Sequence, residues 1–148
     1  MNPADSIERL ITLQKTVTPK LESFSAEEFK RIPHPGKWSK QQTLGHLLDS
    51  ATNNHQRFVR IQYESAPVIY YDQEQWNNLH DYNSWGNHQL IQFWVSYNSF
   101  LIELIKRIPR DRLSLMGISR NDDQHTLEWY ISDYVEHLER HLKQITDY

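Results

Sequence analysis

Residues 88–109 read HQLIQFWVSYNSFLIELIKRIP. Leu90, Phe93, Trp94, Tyr97, Leu101, Leu104, Ile105 and Ile108 recur there in steps of three and four. That is the stripe a helix lays along one face, and Pro109 stops it because proline cannot continue the hydrogen-bond ladder. A strand would alternate in steps of two, so this segment decides for helix.

Working outward, the same period appears in three other places. From Thr126, Leu127, Tyr130, Ile131, Tyr134, Leu138, Leu142 and Ile145 fall on one face nearly to the end of the chain. Ser39 with Gln42 three residues on forms a capping box, and the stretch after it holds Leu44, Leu47, Leu48, Ala51, Phe58 and Val59 in one arc before Pro67. Near the start, Pro3 suits a first helical position, and Ile7, Leu10, Ile11 and Val17 follow before Pro19 interferes. A second capping box, Ser25 with Glu28, predicts one or two turns before the breakers Pro33, Pro35 and Gly36.

With four Gly in 148 residues, a turn-rich β fold is disfavoured. The expectation is all-α, with four amphipathic helices in a single domain over residues 1–148. Pro67 to Gly86 reads as a long loop between the second and third helices, rich in aromatics and amides, and such loops are commonly functional or packed over something. Arg110 to His125 has room for a short hairpin or a 3-10 turn.

Composition excludes several function classes. Sixteen Lys and Arg against 19 Asp and Glu give a net charge of -3 with interspersed signs, without the basic field on which nucleic-acid affinity depends. No cysteine is present, so a disulfide framework, a thiol nucleophile, iron–sulfur chemistry and any thiolate zinc site are excluded, and a metal must use His and carboxylate. No leader-like N-terminus or membrane-length apolar run is visible, so a soluble cytoplasmic protein is expected.

Eight histidines remain to be sorted. His137 and His141 stand four residues apart, which stacks two imidazoles on one helix face and lets both approach one ion. Leu138 follows His137, so the H-E-x-x-H metalloprotease pattern with its catalytic Glu is absent. A solvated helix face carries the same spacing by chance. Here His141 falls inside the apolar arc and His137 at its edge, and inward imidazoles need a hydrogen bond or a ligand to offset desolvation.

A catalytic zinc takes three protein ligands and a water, so a third donor is needed from another helix. His46 and His55 are the candidates. Angular counting prefers His55, in the middle of the apolar arc, over His46, which lies nearly opposite with Asp49, Ser50, Asn53 and Arg57. His34, His80, His88 and His125 fall in loops or at helix ends and read as structural or incidental.

Several segments together resemble the DinB-like family, in its YfiT-like metal-dependent hydrolase branch. They are Gly36-Lys37-Trp38-Ser39, Gly45-His46-Leu47-Leu48-Asp49-Ser50, Asn54-His55-Gln56-Arg57-Phe58, Tyr71-Asp72-Gln73-Glu74-Gln75-Trp76 and His137-Leu138-Glu139-Arg140-His141-Leu142-Lys143-Gln144-Ile145. The resemblance implies a four-helix bundle connected up-down-down-up, with one divalent metal on three histidines from helices two and four. By motif position these are His46, His137 and His141, against the periodicity argument for His55. Asp49 and Asn53 would then orient an imidazole or a metal-bound water.

The resemblance further implies a small-molecule enzyme, either a hydrolase or a thiol S-transferase acting with a low-molecular-weight thiol, and a homodimer. Zinc is the expected metal, with nickel or manganese as alternatives, because three imidazoles discriminate poorly among divalent ions. Asp49 is the nearest carboxylate for proton transfer and Glu136 the next. The rival expectation is a non-catalytic dimeric bundle that binds a partner or an apolar ligand under Tyr70, Tyr71, Trp76 and Trp85. No membrane or nucleic-acid partner is expected.

Overall fold

The computed structural model describes residues 1–148. Its α-helices are α1 (Pro3–Ser23), α2 (Ala26–Lys30), α3 (Lys40–Arg60), α4 (Gln73–His80), α5 (Asn87–Lys106) and α6 (Leu127–Ile145). Strands β1 (Met116–Ile118) and β2 (Gln124–Thr126) form an antiparallel hairpin where the sequence left room for a hairpin or a 3-10 turn, and 3-10 turns at Arg110–Arg112 and Arg120–Asp122 accompany it.

Local chemistry sets the helix starts. The Ser39 and Ser25 hydroxyls accept from the backbone N–H of Gln42 and Glu28, whose side chains bond back to the cap N–H, so both capping boxes form. Thr126 caps α6 by accepting from Trp129 N–H.

Four long helices make the bundle, and side-chain contacts fix their directions. Glu22 meets His88 and Gln14 bonds the Val95 carbonyl, so α1 and α5 are antiparallel. Lys40 reaches the Ile145 carbonyl while Arg57 lies over the Tyr130 ring, so α3 and α6 are antiparallel. Arg9 pairs with Glu139 and the N-terminal ammonium meets Ser132, so α1 and α6 run parallel. Gln41 bonds the Trp85 carbonyl just before α5 and His55 meets Tyr97, so α3 and α5 also run parallel. The order is therefore up-down-down-up, around a core that includes Leu10, Val17, Leu44, Ala51, Phe58, Trp94, Leu101, Tyr134 and Leu138.

Two parallel neighbours need a connection that returns the length of a helix, about 30 Å. Residues 61–86 make that return along the polar side of α3. They are tied down by Arg57 donating to the Ile69 carbonyl (2.8 Å), Asn77 donating to the Gln42 carbonyl (2.9 Å) and a parallel bridge between Val68 and Ile118.

Two expectations are corrected here. The 67–86 segment is not simply a loop, because Asp72 caps a two-turn helix, α4, that packs on α3. Pro19 does not end α1, which continues to Ser23. Proline deprives the Lys15 carbonyl of its helical donor, but Lys15 and Pro19 are both exposed, so that carbonyl is open to solvent.

Candidate metal centre

His46 stands on α3 and His137 and His141 one turn apart on α6, where the antiparallel packing of the two helices brings them level. One ring nitrogen from each lies within 4.8 Å of the others. Nε2 of His46 and Nε2 of His137 are 3.2 Å apart, and the His141 ring centroid is 4.6 Å from that of His46 and 4.5 Å from that of His137. Tetrahedral bonds of about 2.0–2.1 Å to one ion would set ligand nitrogens roughly 3.3 Å apart, so the group is close to ligating geometry.

The protonation chemistry fits a cation too. His46 is 1% exposed, and burial, followed by the charge repulsion of His137 and His141, pushes its pKa down to about 3. His137 is lowered to about 4, chiefly by burial, and His141 is lowered for the same leading reason. All three are therefore neutral at pH 7, each with a lone pair. His141 Nδ1 lies 3.0 Å from Gln144 Oε1, so its N–H donates there and Nε2 is left as the free acceptor. His46 Nδ1, the ring nitrogen that does not face His137, is buried without a partner.

His46 is the histidine that joins the pair, and His55 is not. Helix α3 packs against α5, α6 and the returning connection together, so its polar side is enclosed as thoroughly as its apolar one. A single apolar arc cannot express that. His55 faces α5 instead, with Nδ1 2.9 Å from the Tyr97 hydroxyl and its ring against Phe100.

Asp49, Ser50 and Asn53 share the His46 face and are all buried. Neither Asp49 nor Asn53 hydrogen-bonds an imidazole of the group, which leaves a metal-bound water as the group that they could orient. Asn53 donates to the Asp49 backbone carbonyl (2.9 Å). The Asp49 carboxylate, 2% exposed, accepts from the Tyr82 hydroxyl (2.5 Å) and pairs with His80 Nδ1 (3.0 Å). Burial pushes the Asp49 carboxyl up, against the pull of Tyr82 and His80, and drives the Tyr82 hydroxyl up as well.

His80, read as structural or incidental from its position at a helix end, is structural at the least: it closes α4 over the polar face of α3. Tyr71-Asp72, read as a motif, gave the only sequence hint that a structured element lay there. Of the other three, His88 pairs with Glu22 and His125 stacks on Trp129 at 3.5 Å. His34 lines a surface cavity of about 650 Å³.

That cavity lies to one side of the three histidines without being lined by them. Lys37, Trp38, Thr43, Gln73, Glu74 and Gln144 line it. The Trp38 ring lies 5.1 Å from that of His46, and Gln144 is the residue bonded to His141, so these two side chains separate the cavity from the imidazoles.

Residues 9–145 match the family description "DinB superfamily". The chain belongs to the DinB superfamily. Among solved structures this DinB-superfamily chain is similar to YfiT from Bacillus subtilis, described as a probable metal-dependent hydrolase with an unusual four-helix bundle topology. The TM-score is 0.87 at 21% identity, covering 97% of this chain and 83% of YfiT. The up-down-down-up order accords with that likeness in fold. No curated protein matches the chain. No helix is long and apolar enough to cross a membrane.

Proposed function

We propose that the chain is a metal-dependent enzyme, a hydrolase or a thiol S-transferase, in which His46, His137 and His141 hold one divalent ion. Zinc is the first choice, with nickel or manganese as alternatives. The observation that carries this reading is the convergence of three neutral ring nitrogens within 4.8 Å across two helices. A divalent ion on three uncharged ligands lowers the pKa of a bound water or thiol and so supplies a nucleophile near neutral pH.

The chain's own residues do the rest. Burial keeps the imidazoles unprotonated, Gln144 holds His141 in the tautomer that leaves Nε2 free, and the α3–α6 packing sets their separation. The cavity beside Trp38 admits a small-molecule substrate, which includes a thiol cosubstrate because the chain has none of its own.

The test is metal analysis of untagged protein purified without chelator. Stoichiometric metal is expected, with a zinc-dependent rise in Tm that His46→Ala, His137→Ala and His141→Ala each abolish. Metal-free protein whose Tm in added zinc is indifferent to all three substitutions would remove the site. The rival, a non-catalytic dimeric bundle, draws support from Phe93 and Phe100, which are 50% and 53% exposed on α5. Full metal occupancy without turnover across ester, amide and thiol-conjugation substrates would favour it.

A further inference from the structure

Within the metal-dependent reading, on which this inference rests, the residue that moves the proton is still to be found. Asp49 is the carboxylate nearest to His46 along α3, but it cannot touch a substrate. It is 2% exposed, Oδ1 accepts from Tyr82 and pairs with His80, and Oδ2 is enclosed without a partner. Glu136 is exposed but accepts from Ser132 on the same helix. His80 alone among these groups is both anchored and open, with its Nδ1 3.0 Å from Asp49 Oδ1 and its side chain 42% exposed.

We propose that His80 is the catalytic proton acceptor of this site and that Asp49 is its positioning residue. Pairing of Nδ1 with the Asp49 carboxylate favours the tautomer that carries its proton on Nδ1 and leaves the lone pair on Nε2. Asp49 follows His46 by one turn on α3, and the Tyr82 ring that lies against His80 packs on Gly45, the residue before His46. In the reaction, Nε2 takes the proton of the O–H or S–H nucleophile as that atom bonds to the electrophilic carbon. The imidazolium, held against the Asp49 carboxylate, then returns the proton to the leaving group as its bond to carbon breaks.

The arrangement is built rather than incidental. An ordinary surface His–Asp pair has both partners in water and contributes little. Here the carboxylate is enclosed, which is costly unless its partners are fixed. Tyr82 is fixed because Gly45 leaves room for its ring; a Cβ at Gly45 would fall within that ring. His80 is fixed through its backbone, where the Trp85 indole donates to its carbonyl (2.8 Å) and Asp81 ends α4 in the left-handed region at φ 50°. The Tyr82 and Trp76 rings flank the imidazole at 4.9 and 5.9 Å.

The experiment pairs nitrogen-15 NMR of the metal-free protein with kinetics of the zinc-loaded protein. The kinetic probes are 4-nitrophenyl acetate hydrolysis and conjugation of cysteine to 1-chloro-2,4-dinitrobenzene. NMR is expected to show His80 as the Nδ1–H tautomer, and Asp49→Asn is expected to lose that preference. His80→Gln, and His80→Asn as a variant that keeps a donor for Asp49, are expected to lower kcat on at least one probe by about 100-fold, with KM and bound zinc unchanged. An Nε2–H tautomer in the native protein, no turnover of either probe by the zinc-loaded native protein, or zinc-loaded His80→Asn turning over as the native protein does would each overturn the proposal. Failure of the native protein to bind zinc would instead overturn the reading beneath it.

Discussion

The Nε2 atoms of His46 and His137 face one another at 3.2 Å across the α3–α6 interface. In the metal-free protein one ring in its Nε2–H tautomer donates to the other, a cation would join both lone pairs instead, and burial opposes only the extra proton that would charge the pair. The pair is the centre of the proposed metal site, and its titration is a stability term.

The sign of that term follows from where each state binds protons. Imidazoles in the unfolded chain titrate near pH 6.5, whereas His46 and His137 in the fold are held to about 3 and about 4. Between those limits the unfolded state binds protons that the folded state refuses, so stability is full above pH 6.5 and declines as pH falls. Each histidine kept neutral costs about 1.4 kcal/mol per pH unit in that window. Urea unfolding of metal-free protein at pH 7.5 and 5.0 should show the loss, and His46→Gln should reduce it.

Bound zinc should offset that loss. At a free concentration 100 times its Kd, an ion that binds only the folded state adds about 2.7 kcal/mol. The rise should vanish in His141→Ala and fade on acidification, because protons compete for the same lone pairs. Thermal unfolding against zinc concentration at two pH values measures both effects.

Gly45→Ala should be among the costly single-methyl additions in this chain. The new Cβ meets the Tyr82 ring, which cannot retreat without giving up its hydroxyl bond to Asp49. Overpacking of this kind costs about 1–3 kcal/mol. Combining Gly45→Ala with Tyr82→Ala should give a double variant more stable than the sum of the two losses, read by urea denaturation.

Within the core, the Tyr134 hydroxyl donates to Asn98 Oδ1 at 2.5 Å, and both residues are at most 1% exposed. Tyr134→Phe strands a buried amide oxygen and should cost about 1–3 kcal/mol. Tyr134→Phe with Asn98→Leu should recover part of that loss, because no polar group is then left unpaired. A double-mutant cycle in urea gives the coupling.

Arg57→Gln should loosen the return connection more than the bundle. It removes the guanidinium bond to the Ile69 carbonyl and the contact with the Tyr130 ring. Amide hydrogen exchange should accelerate in residues 61–72 while the α5 and α6 cores stay protected.

The four long helices were legible because each has a periodic apolar stripe and a recognisable stop or cap, as at Ser39 and Pro109. The i, i+4 pair of His137 and His141 was legible for the same geometric reason. His46 was not accessible to helical counting, because that method assumes a helix with one dry face and α3 is enclosed on its polar side as well around His46; family motif position supplied it. His80 was missed because its importance comes from a contact 31 residues away in sequence, to a carboxylate that looked like surface. Helix α4 hid behind Pro67 and a run of amides, short enough that tertiary packing rather than its own periodicity stabilises it.

The parallel placement of α3 and α5 has a further consequence for how this chain can vary. A bundle of simple hairpins could shorten its connections at will. Here the segment that carries the chain back also delivers His80 and Tyr82 to Asp49, so span and chemistry are inseparable. Deletions that spare every bundle helix but trim residues 61–86 should leave a foldable scaffold that has lost its cover. Insertions, by contrast, are better placed at the Arg110–Leu113 turn, where no such double duty falls.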